Sequence, residues 1–322
     1  MNASKHMNSR IAVLLIACLT FLSGCESLVN DLDQDKLPKT ESRLAVECYI
    51  SPQSPRLEAV ITQSQPLFGP ATYNPEFVKN AQVFLSDGQN RVQLMFQDSA
   101  FNYMADTTAF RIVAGKTYTL TVDDGKRFVK ATCTVPVKSP VIKSFTVEKI
   151  YSGFGTDSLA SIKLSWEDIK GESNYYDIRG YSVLEQTTLR FDNETNDAVP
   201  FRSINKLQLY FGEKNIYNDI NLDGITFNIP ESKIYLQPNT EFTYQDKDGV
   251  KKSFYTNPKI SEVRLEVLHI DENYYKFYRS LANTDFQDNP FVEPTLIYSN
   301  IEGGLGCFGA FNSSGKTANP DF

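Results

Sequence analysis

Histidine and cysteine are scarce in this sequence: its 322 residues hold two His and five Cys, with one Trp and four Met. Most His-based catalysis and most zinc chemistry need clusters of such ligands, and no CxxC or Cys/His pair at ligand spacing occurs. Cations are outnumbered too. There are 32 Lys and Arg against 39 Asp and Glu, a formal net charge of −7 that gives no support to a nucleic-acid partner. No apolar run reaches the ~20 residues of a membrane-spanning helix. Phe (22) and Tyr (17) are plentiful, a mix that favours strands. The chain is 41% hydrophobic and 22% charged, ordinary for a globular protein, and is long enough for two domains.

What is present begins with an address. Lys5 and Arg10 precede an apolar run from Ile11 to Leu22, the length of a signal-peptide core. It ends in Leu22-Ser23-Gly24-Cys25, the order of a bacterial lipobox. The pattern predicts a lipoprotein signal peptide over residues 1–24 and a diacylglycerol on the Cys25 thiol. Two or three acyl chains anchor stably, because each buried methylene contributes about 0.8 kcal/mol and one chain alone is marginal. Loss of Lys5 and Arg10 with the leader would take the net charge to about −9. Residues 25–41 are polar and acidic without sustained periodicity, and read as a tether. Cys18 leaves with the leader. Cys48, Cys133 and Cys307 remain and read as small buried apolar residues, with a disulfide between two of them left open.

From Leu44 the pattern turns to period two, with Pro, Gly and Asp at the breaks. The clearest hairpin runs from Lys116 to Val122, turns at Asp123-Asp124-Gly125 and returns from Phe128 to Val135. Gly115-Lys116-Thr117-Tyr118-Thr119-Leu120 looks like the corner of immunoglobulin-like and transthyretin-like modules, where a Tyr hydroxyl ties back to the backbone. Val135-Pro136-Val137-Lys138-Ser139-Pro140 reads as a stiff boundary. Beyond it, Ser161 to Trp166 followed by Tyr175 to Ile178 resembles two fibronectin type III strands whose Trp and Tyr pack across a core. Further strands are expected near Lys206–Phe211, Gly224–Ile229 and Glu262–Ile270. Asp271 can cap a helix carrying Tyr274, Phe277, Tyr278 and Leu281 on one face. The expectation is a mainly β chain of two β-sandwich-like domains with one short helix. An Ig/transthyretin-like sandwich would span 42–138, and a larger fibronectin III-like domain 139–322, its helix near 271–283.

Two runs invite chemistry. Asp219-Ile220-Asn221-Leu222-Asp223-Gly224 matches the first half of a calcium loop, so Asp219, Asn221 and Asp223 are candidate ligands. Pro230 stands where a bidentate Glu is expected, and a hairpin turn accounts for the same residues. In Asn300-Ile301-Glu302-Gly303-Gly304-Leu305-Gly306, residues Asn300, Glu302, Gly303, Gly304 and Gly306 are candidates for a binding loop. The run lacks the Lys-Ser/Thr of a phosphate loop, and a Gly-rich turn that lets the last strand pass close to a neighbour explains it as well. His269 has no Gly-x-Ser-x-Gly elbow to serve. The carboxylate pairs Glu167/Asp168 and Asp271/Glu272 sit at turn and cap positions. The reading is therefore not an enzyme, with no cofactor besides the lipid on Cys25 and Ca2+ held as a minor alternative.

Several runs together resemble the DUF4249 family of Bacteroidota outer-membrane lipoproteins. They are Val46-Glu47-Cys48-Tyr49-Ile50-Ser51-Pro52, Gln63-Ser64-Gln65-Pro66-Leu67, Gly115 to Leu120, Asn289 to Pro294 and Tyr298 to Ala310, over roughly residues 40 to 312. The resemblance implies a lipid-anchored protein of the outer membrane that works beside a TonB-dependent transporter. It carries over no catalytic residue. A surface structural or adhesive lipoprotein is the alternative, and a carboxylate-based hydrolase a third. Glu26, Asp31 and Asp33 place acid near Cys25, as surface-export signals do, which favours the outer face while leaving the periplasmic one open.

Overall fold

The computed structural model describes residues 41–65, 75–151, 158–191, 197–211, 215–282 and 296–322. The leader, Cys25, most of the tether and the 289–294 run lie outside the described residues. The chain divides into two compact units, residues 1–42 with 65–74 and residues 43–64 with 75–322. The second is described below.

The strands as far as Tyr151 are β1 (Leu44–Ile50), β2 (Arg56–Gln63), β3 (Glu76–Phe77), β4 (Gln82–Ser86), β5 (Arg91–Gln97), β6 (Asn102–Asp106), β7 (Thr117–Asp123), β8 (Phe128–Thr134) and β9 (Val141–Tyr151). Then come β10 (Ser158–Glu167), β11 (Tyr175–Phe191), β12 (Ala198–Gln208), β13 (Ile216–Asn218), β14 (Thr226–Asn228), β15 (Ser232–Leu236), β16 (Glu241–Gln245), β17 (Lys251–Tyr255) and β18 (Lys259–Ile270). Helix α1 (Glu272–Ala282) and β19 (Leu305–Ala318) complete the fold. The protein is mainly β and sandwich-like, with one short helix among the described residues.

Alternation is cleanest in β1, β2, β7 and β8, where every second side chain is buried. Those residues make the first core, with Val46, Ile61, Leu85, Leu120 and Val122 at its centre. Burying each such side chain contributes about 1.5–3 kcal/mol. The Asp-Gly hairpin forms as expected, with Gly125 at φ 84°. Tyr118 is buried, and its hydroxyl accepts the Val113 N–H at 2.8 Å, which ties the corner five residues back.

A second core gathers around Trp166. Its indole stacks on Phe227 at 5.1 Å and meets Tyr176 edge-on at 5.7 Å, as the fibronectin-like pattern predicts. Ile178, Ile260, Val263 and Leu265 fill the rest. The strands run as one thirteen-stranded sheet in the order β12-β11-β18-β19-β1-β2-β6-β5-β4-β7-β8, with β13 on β11 and β3 on β2. A four-stranded sheet sets β14 and β15 against β10, with β9 on the other side of β10. A third sheet pairs β16 with β17.

Strand β19 links the strands of the two cores. Leu305–Ala310 pairs in parallel with β1, and Phe311–Ala318 pairs antiparallel with β18. Phe308 and Ala310 lie in the first core. The second half of this strand (Asn312-Ser313-Ser314-Gly315) is polar and shows no apolar alternation. Asn312 explains that polarity. Its amide donates to the Pro136 and Val137 carbonyls at 3.1 Å each, and the Lys138 carbonyl meets His269 Nδ1 at 2.9 Å. The Pro-rich segment is thus hydrogen-bonded along its length.

Asp271 caps α1: its Oδ1 accepts the Tyr274 N–H at 2.9 Å. Tyr274, Tyr275 and Phe277 are buried, so the 3/4 spacing gives the packed face. The Tyr274 hydroxyl donates to Asp177 on β11 at 2.6 Å, and Arg179 Nε donates to the same oxygen at 3.0 Å. These bonds fix the helix on the sheet.

Candidate functional site

Two loops meet beside the second core. One follows β10 and runs from Asp168 to Asn174. The other links β13 to β14 and runs from Asp219 to Ile225. They come together because β14 pairs with β10 (Trp166 opposite Phe227) and β13 pairs with β11 (Tyr176 opposite Tyr217).

One carboxylate oxygen from each of Asp168, Asp219 and Asp223 lies within 4.8 Å of the others. Asp168 and Asp219 are buried, and Asp223 is exposed. Asp168 accepts the Tyr176 hydroxyl at 2.8 Å and the Gly224 N–H at 2.6 Å. The Tyr176 oxygen in turn accepts the Ile169 N–H at 3.0 Å. Asp223 accepts the Gly171 N–H at 2.9 Å. Asn174, fully buried, donates to the Ile169 and Glu172 carbonyls at 2.6 and 2.9 Å and to Asp219 at 3.3 Å. Burial pushes the Tyr176 hydroxyl far above its ordinary range, so it remains a donor to Asp168 at any physiological pH. Convergent carboxylates offer hard oxygen ligands, the donor set of Ca2+ or Mg2+. Asp168 and Asp223 also anchor the two loops through backbone N–H groups, while Asp219 accepts the Asn174 amide.

Of the sequence candidates, Asp219 and Asp223 converge. Asn221 supplies the turn, in the left-handed region at φ 63°. Asp168 was read instead as a partner of Glu167. The pair divides at the strand end: Asp168 begins the loop after β10 and is buried, while Glu167 is the last residue of the strand. Glu167 turns outward to Lys143 at 2.8 Å, and this lysine holds its carboxyl below the usual range. What could have flagged Asp168 is its place just after Trp166, at the end of a strand that the two loops share. The Asp271/Glu272 pair divides in the same way: Asp271 is buried as the cap, and Glu272 pairs with Lys276 at 2.9 Å. The imidazole of His269 is drawn below its ordinary range by burial.

The glycine-rich run lies against β1 and β8. Asn300 brackets Phe308, donating to its carbonyl at 2.8 Å and accepting its N–H at 3.0 Å. Glu302 exchanges backbone bonds with Lys130 of β8, at 2.8 and 3.3 Å. A Cβ on Gly304 would stand 2.7 Å from the Leu44 carbonyl, and one on Gly306 would collide with the Val46 carbonyl. Gly303 and Gly306 have φ of 78° and 101°. Close backbone approach accounts for these glycines. Cys48, Cys133 and Cys307 are free and buried, and burial raises all three thiols, Cys48 to about 12. Cys25 lies outside the described residues. No helix among the described residues is long and apolar enough to cross a membrane.

Comparison with known proteins gives one informative match. The family model described as "Domain of unknown function (DUF4249)" matches residues 27–317. No curated protein matches the chain. Among solved structures, the native conformation of E. coli alpha-2-macroglobulin aligns at 9% identity and a TM-score of 0.18, over 88% of this chain and 21% of that one. The chain spans about a fifth of that protein, and a likeness at this score carries no argument.

Proposed function

The chain belongs to the DUF4249 family, and from that premise we propose that it is a lipid-anchored, non-enzymatic accessory or binding protein of the outer membrane, working beside a TonB-dependent transporter. The observation that carries this reading is Leu22-Ser23-Gly24-Cys25 after a basic and apolar leader, followed by an acidic stretch before the folded body. Acyl chains on Cys25 hold the protein to the bilayer, and residues 26–41 give the body reach. The packed body supports a binding role. Several of its strongly shifted titratable groups are committed to structure: Asp271 to a helix cap, Tyr274 to Asp177, and the three thiols to cores.

Two measurements test the reading. Labelled palmitate should enter the wild-type chain and not the Cys25→Ser variant, which should leave the membrane fraction. Purification from detergent-solubilised outer membrane should bring a β-barrel transporter with it. A lone lipoprotein would overturn the transporter half of the proposal and leave the anchor standing.

One observation favours the second reading, a surface structural or adhesive role. Beyond Thr187, whose N–H still reaches the Thr256 carbonyl, the described residues of β11 pair with β12, and the resulting ribbon carries Phe191 and Phe201 exposed. Protease shaving of intact cells would cut this ribbon if the protein faces outward.

A further inference from the structure

The four-stranded sheet of β9, β10, β14 and β15 turns one face to the second core. Directly opposed residues of antiparallel strands share a face. Val147, Ile162 and then Lys149, Ala160 and Ile234 are successive rows of that face. The next row is Tyr151, Ser158 and Leu236. Here the core ends: Leu236 is still buried, but Tyr151 is 71% exposed. An aromatic ring on the core-facing side of a sheet thus lies open to solvent.

A cleft of about 640 Å³ opens over this row. The Gln237-Pro238-Asn239 turn, the Asn257-Pro258-Lys259 entry to β18 and Phe322 close it. Its volume falls in the range of small-molecule sites. Asn257 is held in the left-handed region at φ 43°, and its N–H donates to Asn239 Oδ1 at 2.9 Å. A backbone held in this way places two amides at one mouth.

The lining selects a ligand class. Ser158, Gln237, Asn239 and Asn257 each both donate and accept hydrogen bonds. That dual capacity matches hydroxyl groups, which do the same. An anion would need donors alone, and an apolar ligand neither. Lys259 is already paired with Asp321 at 2.5 Å, so Lys149 is the lining cation left for a ligand charge. The exposed face of Tyr151 suits the C–H face of a sugar ring.

We propose that this cleft binds a short saccharide bearing at most one carboxylate. Tyr151 lies under a pyranose ring, the side chains of Ser158, Gln237, Asn239 and Asn257 meet its hydroxyls, and Lys149 meets the carboxylate where one is present. The site depends neither on Cys25 nor on a transporter.

The test uses the full chain in detergent micelles on an array of neutral and uronate-containing oligosaccharides, followed by calorimetry with the sugar retained. At least one class should bind. Tyr151→Ala should weaken binding at least about tenfold, and Gln237→Ala by a smaller factor. Both side chains are exposed, so the thermal midpoint should hold for both variants. The Cys25→Ser variant should bind as the wild type does, which separates this site from the anchoring proposal. Retention of no sugar, or equal retention by wild type and Tyr151→Ala, overturns the inference.

Discussion

Asp168 and Asp223 each hold the backbone of the other's loop. Asp168 Oδ2 accepts the Gly224 N–H at 2.6 Å, and Asp223 Oδ1 accepts the Gly171 N–H at 2.9 Å. The bonds run in opposite directions between segments 56 and 52 residues apart. Opening either loop breaks both. The second oxygen of Asp168 continues the chain through the Tyr176 hydroxyl to the Ile169 N–H, beside Trp166 and its core.

The two aspartates should therefore differ in worth. Asp168 is buried, and Asp168→Ala leaves the Tyr176 hydroxyl and the Gly224 N–H without their acceptor. An unsatisfied buried group costs about 1–3 kcal/mol, so the expected loss is about 2–5 kcal/mol. Asp223 is exposed, and water replaces it as acceptor in Asp223→Ala, for a loss of about 1 kcal/mol or less. Urea unfolding of the two variants measures the difference. Equal losses would contradict the buried clasp.

The same carboxylates set up a decisive ion experiment. Asp168 and Asp223 already accept backbone and hydroxyl donors and Asp219 the Asn174 amide, so calcium is expected to add little. Wild-type protein in 1 mM Ca2+ and in chelator should melt within about 1 °C of each other. A rise of several degrees with Ca2+, lost in Asp219→Asn, would instead assign Asp168, Asp219 and Asp223 to a cation.

How far the sequence reached depends on the range of the interactions. The Asp-Gly hairpin, the Tyr118 corner, the Trp166–Tyr176 packing and the helix after Asp271 are set by turn chemistry, alternation and 3/4 spacing, all of which are local. The parallel pairing of β1 with β19 joins Ala45 to Leu305, and no local pattern encodes a partner 260 residues away. β12 was displaced toward Lys206–Phe211 because its exposed residues show no alternation to read. At the acidic loops, Asp219 and Asp223 were visible through their spacing, but Asp168 arrives only through strand pairing. The cleft proposed for a saccharide is illegible for the same reason, since Tyr151 ends β9 while Asn239 and Asn257 come from two later connections.

Glycine substitutions distinguish close approach from mere turn preference. At Gly306 a Cβ would collide with the Val46 carbonyl, which is backbone and cannot swing away. Gly306→Ala should break the β1–β19 pairing and cost more than about 3 kcal/mol. Gly125 also has positive φ, but its Cβ direction meets nothing within 4 Å. Gly125→Ala should cost about 1 kcal/mol from backbone strain alone. Thermal or denaturant midpoints rank the pair. A tolerated Gly306→Ala would mean that the last strand does not lie against β1.

Asp271 makes stability depend on pH in a direction opposite to most carboxylates. Its Oδ1 accepts the Tyr274 N–H, while its Oδ2 is buried without a partner. Burial raises its pKa from 3.8 to about 7, and neighbouring Glu272 adds to the rise. Cys133 and Cys307 stand near it, but burial keeps both thiols protonated through this range. The folded state therefore holds a proton that the unfolded chain releases near pH 4. This stabilising contribution is complete below about pH 4, falls as pH rises toward 7, and is lost above it. Each pH unit separating the two ionisations is worth about 1.4 kcal/mol. Asp271→Asn keeps a good helix cap and removes the titration. His269 acts on the acid side, because its lowered pKa makes folding weaker as pH falls through it. Subtracting the wild-type curve from that of Asp271→Asn cancels the histidine and isolates the carboxylate. The variant should gain on the wild type between about pH 4 and pH 7 in denaturant unfolding and keep that gain at higher pH. A difference that stays flat with pH, or shrinks, would mean that Asp271 is ionised in the folded protein and that its second oxygen has found a donor.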